Sequence, residues 1–246
     1  VSADLDRRRL FGGAFAAIAA AGLGTPGGAA RADAADEERL HADWPWLGRY
    51  RGDNALILAA GGSVDVVFMG DSITEGWQTT VPEFFTRGRV CRGISGQTSP
   101  QMLLRFRQDV IDLKPRAVHL MCGTNDIAGN TGPSTLKMIQ DNICGMAEIA
   151  AAHRVRMIIA SIPPSAGFPW RPGLEVIAPI AAMNAWLVDY ARRTHAVYAD
   201  YFTLLADGRG DMRDGLASDH VHPTAAGYAA MQPVAEAAIA RALHRG

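Results

Sequence analysis

Three cysteines in 246 residues are too few and too widely spaced for a disulfide framework, and they form no zinc-binding pattern. Cys91 and Cys122 fall inside apolar, strand-like runs and read as small core residues. Neither sign of charge is in excess. The net charge is −1, so no global field draws the chain to nucleic acid or to an anionic membrane. Apart from the N-terminal segment, no run approaches the apolar length of a membrane span, so no stable membrane insertion of a mature chain is expected. Repeats, low-complexity tracts and a second domain are also missing. What is left is an ordinary globular composition, 48% hydrophobic and 20% charged, with enough length for one α/β domain and a full core.

The N-terminus follows a different logic. Arg7, Arg8 and Arg9 precede Leu10 and Phe11, a weakly apolar Ala/Gly-rich run follows to Leu23, and Ala30-Arg31-Ala32 offers a small-x-small cleavage site. That is the order of regions in an export signal, and the paired arginines resemble a twin-arginine signal. A plain basic tail is the alternative. The expectation is an export signal over residues 1–32, a single domain over 33–246, and a periplasmic or secreted mature protein.

Within the domain, five short apolar runs alternate with helical patterns. Val64–Met69, Val90–Ile94, Ala117–Cys122, Val155–Ile162 and Ala196–Ala199 read as strands. Helices are expected from Ser99 or Pro100 through Leu113, from about Ser134 to His153, up to about Thr194, and from Thr224 or Ala225 almost to the end. This alternation argues for an open parallel sheet with helices on both faces. Ligands in such sheets bind outside the carboxyl ends of the strands. Those ends carry Ser72, Gly96, Asn125 and the loop around Trp170.

The stretch from Val64 to Trp77 is the centre of the reading. A buried strand breaks at Gly70 and puts Ser72 at the mouth of a helix, over backbone donors without partners. The simple account of Asp71-Ser72 is a helix cap. The chemical account is a nucleophile whose oxyanion the same donors can hold. A serine nucleophile needs a base and a group to orient it. His222 is the base candidate, and Asp219 lies three residues earlier on a turn leading into the last helix. Asp219, His220 and His222 also admit a reading as metal ligands, although no second ligand cluster accompanies them. Gly96 lets a backbone N–H approach an oxyanion closely, and Asn125 adds a neutral amide donor. Asp126 is expected to tie its loop, with no chemical role.

Four of these segments resemble the blocks of the SGNH (GDSL-type) hydrolase superfamily, in the family's order and over about residues 64–228. They are Gly70-Asp71-Ser72-Ile73, with Ile for the usual Leu; Gly96 in RGISGQT; Gly123-Thr124-Asn125-Asp126; and Asp219-His220-Val221-His222-Pro223. No G-x-S-x-G elbow of the α/β-hydrolases is present. The resemblance implies a flavodoxin-like, three-layer α/β/α fold with a five-stranded parallel sheet. It also implies Ser72 as nucleophile, His222 as base and Asp219 as its orienter, with Ser72, Gly96 and Asn125 forming the oxyanion hole and no metal or organic cofactor.

The superfamily spans lipases, thioesterases and carbohydrate O-acetylesterases, so the fold leaves the substrate open. The absence of a large insertion, the export signal and the loop Phe168-Pro169-Trp170-Arg171 favour a short acyl group on a polar alcohol, such as a small ester or an acetylated glycan. Trp170 would stack on a sugar face and Arg171 would contact a carboxylate or hydroxyl; loop packing is the alternative for Trp170. The GISGQT spacing is similar to the catalytic subunits of platelet-activating-factor acetylhydrolase, which keeps a lipolytic enzyme open. A non-catalytic glycan-binding protein is the third possibility, and it has no need of an oxyanion hole.

Overall fold

The structure is a computed structural model that describes residues 38–244 apart from 40 and 87. The expected export signal, residues 1–32, lies outside the described residues. The chain divides into two units, Val1–Arg39 and Leu40–Gly246, and the second carries every element named below.

Its centre is a sheet of five parallel strands, β1 (Val66–Gly70), β2 (Arg89–Gly93), β3 (Ala117–Met121), β4 (Arg156–Ala160) and β5 (Val197–Ala199), in the order β2-β1-β3-β4-β5. The central strands explain themselves. VVFMG and AVHLM are buried at every position, as strands covered on both faces must be. The edge strand β2 tolerates arginine at two positions.

The helices are α1 (Arg51–Ala59), α2 (Ser72–Thr80), α3 (Ser99–Asp109), the short α4 (Thr124–Ile127), α5 (Leu136–Ala152), α6 (Ile177–Thr194), the short α7 (Tyr201–Leu205) and α8 (Ala225–His244). They form the two outer layers of an α/β/α sandwich. α3 packs on α5 and α5 on α6, while α2 packs on α8, which also covers β3, β4 and β5. The order in which strands are added reverses between β1 and β3, so the ends of these two strands border the crevice where parallel sheets bind ligands.

Aromatic packing joins α2, which begins at Ser72, to α8, which follows the His222 turn. Trp77 of α2 is fully buried and stacks on Phe84 at 4.7 Å and on Tyr228 of α8 at 5.6 Å. Phe68 meets Trp77 edge-on and stacks on His119 of β3 at 4.6 Å. Tyr228 also donates a hydrogen bond from its hydroxyl to the Ile73 carbonyl at 2.8 Å. Removing a core tryptophan of this kind typically costs about 3–5 kcal/mol.

Boundaries differ from the sequence pattern where local chemistry intervenes. The helix expected to reach Leu113 stops at Asp109, and the chain continues as a 3-10 turn, Ile111–Leu113, closed by Lys114 at φ 52. Helix α1 is not signalled by the sequence. Only Asn54 of it is buried, so it lacks the apolar stripe that marks an amphipathic helix. The Trp- and Pro-rich segment before α1 lies across α3 and the loop that leads into it. The carbonyls of Trp44, Pro45 and Leu47 accept the side-chain amides of Gln101, Gln97 and Gln108 at 2.7, 2.8 and 2.7 Å.

Candidate active site

Strand β1 ends at Gly70 because nothing larger fits. A Cβ there would stand 2.0 Å from Thr74 Oγ1 and 2.9 Å from the Met121 carbonyl. Asp71 is the N-cap of α2. It is 1% exposed, and its carboxylate accepts the Ile73 N–H at 3.0 Å. Burial raises the Asp71 carboxyl from 3.8 to about 6, against the pull of the Ile73 N–H and of His222. Ser72 therefore opens the helix, where backbone N–H groups have no partner one turn earlier.

The base candidate approaches from the other end of the chain. The Ser72 hydroxyl is 2.9 Å from His222 Nε2, and His222 Nδ1 is 2.7 Å from Asp219 Oδ2. The second Asp219 oxygen accepts the N–H groups of Val221 and His222 at 3.1 and 2.8 Å, so one carboxylate shapes the turn and faces the ring. Partial burial pushes the Asp219 carboxyl up. The hydrogen bonds from the His222 N–H and ring, with that of Val221, outweigh it and hold the group below the usual range. The loop is closed by Ser218 N–H on the His222 carbonyl at 3.0 Å and Thr224 N–H on the Leu216 carbonyl at 2.9 Å. His220 turns away from His222. Its Nδ1 meets Asp211 Oδ2 at 2.6 Å, and no group of three metal-ligating side chains forms among the described residues.

The expected oxyanion donors meet through Asn125. Its Nδ2 lies 3.3 Å from Asp71 Oδ2, beside Ser72, and 3.1 Å from the Gln97 carbonyl, beside Gly96. Gly96 adopts φ 76, a left-handed conformation that a side chain would strain, and its α-carbon borders open space. Asp126 accepts the Ser99 N–H at 2.9 Å and the Ser99 hydroxyl at 2.5 Å, tying the turn after β3 to the start of α3. Burial raises its carboxyl, and the Ser99 hydrogen bonds offset part of that.

Trp170 stands at the rim, stacked on buried Phe168 at 5.2 Å, with its ring centroid 6.2 Å from that of His222. Arg171 donates Nε to the Ala128 carbonyl at 2.6 Å and Nη2 to the Gly129 carbonyl at 3.0 Å. The sequence reading overlooked Arg105, which is fully buried. Its guanidinium donates to the Gly70 and Arg92 carbonyls at 3.1 and 2.8 Å, to Gln97 Oε1 at 2.5 Å and to Asp109 at 3.1 Å. It ties the ends of β1 and β2 to the loop of Gly96. The signal was present: Arg105 and Asp109 lie four apart among Met102 and Phe106, a charged pair on an apolar stripe.

A serine over a helix N-terminus, with an imidazole on its hydroxyl and a carboxylate on the imidazole, is the arrangement of serine hydrolases. Residues 68–230 match the model of the GDSL-like lipase/acylhydrolase family, and the chain belongs to that family. Among solved structures, a protein of Bacteroides fragilis assigned as an acylhydrolase shares 39% identity with a TM-score of 0.78, covering 82% of this chain and 99% of its own. A GDSL-like lipase of Bacteroides thetaiotaomicron also shares 39% identity, with a TM-score of 0.77, covering 82% of this chain and all of its own, 100%. The uncharacterized lipoprotein YqeF of Bacillus subtilis is 32% identical over 121 residues, 42% of this chain and 50% of that protein. The match thus spans half the length of that curated relative.

Proposed function

We propose that the protein is an exported serine esterase that removes short acyl groups, acetyl above all, from hydroxyls of carbohydrate. The observation that carries this reading is the unbroken chain Asp219–His222–Ser72, at 2.7 and 2.9 Å, ending over the N-terminus of α2. Attack of Ser72 Oγ on the ester carbonyl forms the new C–O bond and passes the hydroxyl proton to His222 Nε2. The carbonyl electron pair moves onto oxygen, where the N–H groups of Ser72 and Gly96 and the Asn125 amide receive it. Collapse breaks the bond to the leaving alcohol, which takes the proton from Nε2. Water then repeats the cycle and releases the acid. Asp219 keeps the imidazole in the tautomer that presents a lone pair to Ser72.

Support for a bulky polar alcohol such as a glycan comes from the site's openness. Ser72 and His222 are both partly exposed, and the segments that border them are loops, residues 94–98, 128–135, 161–176 and 206–224. Trp170, held beside His222, offers a flat face for a sugar ring. Arg171 serves at the same rim by clipping the Trp170 loop to the end of α4. The kinship with a lipoprotein and the N-terminal arginines support an extracytoplasmic site of action.

The test is hydrolysis of p-nitrophenyl esters from acetyl to dodecanoyl, with folded Ser72→Ala as control. The expected result is a steep preference for acetyl and no turnover by the variant. Rates that hold or rise toward dodecanoyl hand the site to the lipolytic reading. Wild-type rates in Ser72→Ala sink the nucleophile. A wild-type protein that binds acetylated glycan and turns over no ester is the non-catalytic module.

A further inference from the structure

An oxyanion hole that uses a carboxamide has a weakness that one built from backbone N–H groups lacks. Rotated by half a turn, the amide presents its oxygen to the oxyanion and repels it. The orientation of Asn125 has to be enforced. Its Nδ2 side faces two acceptors, Asp71 Oδ2 and the Gln97 carbonyl. Its Oδ1 side faces one residue, Asn130, whose Nδ2 lies 2.7 Å away. Asn130 is itself a carboxamide and transmits an orientation without setting one. Its own oxygen lies 3.0 Å from Trp170 Nε1. An indole N–H only donates. It therefore demands the oxygen of Asn130, which turns the Asn130 amide group toward Asn125 Oδ1 and so joins Asp71 and Gln97 in keeping the Asn125 amide group on the side of Ser72 and Gly96.

From this we propose, resting on the serine-esterase reading above, that Asn130 is a positioning residue. It carries the fixed polarity of the Trp170 indole to the Asn125 oxyanion donor. Trp170 can act as that reference because its place is determined independently, by stacking on Phe168 and by the two bonds of Arg171 to the carbonyls of Ala128 and Gly129. Asn130 is exposed, so little packing depends on it and its hydrogen bonds are what it contributes. The loop after β4 would thus serve catalysis even where it never touches the reacting carbonyl.

The experiment compares Asn130→Asp, Asn130→Ala, Asn125→Ala and the double variant Asn125→Ala/Asn130→Asp, with kcat and KM on p-nitrophenyl acetate and the melting temperature of each. A residue that only fills space or supports the loop would tolerate the near-isosteric Asp better than Ala. A polarity relay gives the reverse, because a carboxylate offers Asn125 Oδ1 no donor and invites its amide to turn around. Asn125→Ala should lose about 100- to 1,000-fold in kcat, the usual worth of one oxyanion donor. Asn130→Asp should lose at least about 10-fold and Asn130→Ala less, with KM and melting temperature little changed. The double variant should be no slower than Asn125→Ala. That last comparison separates orientation from charge, since repulsion between the new carboxylate and the oxyanion would persist without Asn125. The proposal is overturned if Asn130→Asp is as fast as Asn130→Ala, or if its loss adds in full to that of Asn125→Ala. Wild-type kcat in Asn125→Ala would remove the oxyanion assignment itself and the relay with it.

Discussion

The two sides of the site are built by different means. The side that carries Ser72 and the proposed oxyanion donors rests on buried polar side chains: Arg105 is 0% exposed, Asp71 1%, Gln97 3% and Asn125 3%. The side that carries the proposed base is an open loop in which the Asp219 and His222 side chains are 37% and 35% exposed. The first is held by side chains reaching across three strand ends, the second by the backbone hydrogen bonds of one turn. The difference follows from what each must do. Donors to an oxyanion act through fixed position in a medium that screens little, so they belong in the interior. An imidazole that takes a proton and gives it back needs its orientation fixed, and its charged form fares better near water. Activity and stability should therefore separate on the base side and stay linked in the buried network under the oxyanion side.

The largest effect is expected where they separate. Asp219→Asn keeps an oxygen to accept the N–H groups of Val221 and His222, so the turn should survive. The amide then faces His222 Nδ1 with a donor and favours the wrong tautomer. The kcat should fall about 1,000- to 10,000-fold, with a melting temperature within a few degrees of wild type. Esterase assays and calorimetry on the same preparation check both halves. Equal losses of activity and stability would show that the base loop is no simpler a construction than the oxyanion side.

Arg105→Met comes next and should break both properties together. It strips donors from the Gly70 and Arg92 carbonyls and from Gln97, and leaves Asp109 buried without its ion-pair partner. Breaking a buried pair from one side typically costs about 3–5 kcal/mol. Denaturant unfolding should show that loss. Activity at a temperature where the variant is still folded should also drop, because the loop of Gly96 loses its tie to the strand ends. A stable variant with wild-type kcat would disconnect the buried network from the donors.

This contrast also marks where the sequence is readable. Strands β1 and β3, the capped start of α2 and the Asp-x-x-His turn declare themselves through local patterns: an apolar run, a glycine with no room for a side chain, a carboxylate three residues from an imidazole. The Asp219–His222 turn is local, so its contacts could be read from spacing alone. The oxyanion side was visible only at the residues that carry donors. Its supports are long-range. Asn125 to Gln97, Trp170 to Asn130 and Arg105 to Gly70 each join residues dozens of positions apart. Periodicity indicates that a polar residue is buried and not which partner satisfies it. Arg171 shows the same limit, since nothing in FPWRPG tells that its guanidinium reaches back to Ala128 and Gly129. Helix α1, almost without a buried face, had no pattern to read.

The smallest expected effect gives the comparison its sharpest form, because the carboxyl beside Ser72 and the carboxyl facing His222 are shifted in opposite directions. Burial lifts Asp71 from 3.8 to about 6, while the hydrogen bonds of the turn hold Asp219 below its ordinary range. For Asp71 the folded state binds the proton more tightly than the unfolded chain does. Its contribution to stability is complete below about 3.8 and is lost as the pH rises through about 6. For Asp219 the sign reverses: the contribution is present above the unfolded value and lost as the pH falls through the depressed one. Asp71→Asn removes the first dependence and leaves the second. Asparagine caps a helix about as well as aspartate, so α2 should start as before. A displacement from 3.8 to about 6 corresponds to roughly 3 kcal/mol. The stability of Asp71→Asn relative to wild type should rise by about that much between pH 4 and pH 8, whatever constant offset the altered contact with Asn125 introduces. Urea unfolding of both proteins at pH 4, 6 and 8 measures it. Parallel stability curves would mean that the Asp71 carboxyl ionises as freely as one in water, and that the oxyanion side is wetter than its burial implies.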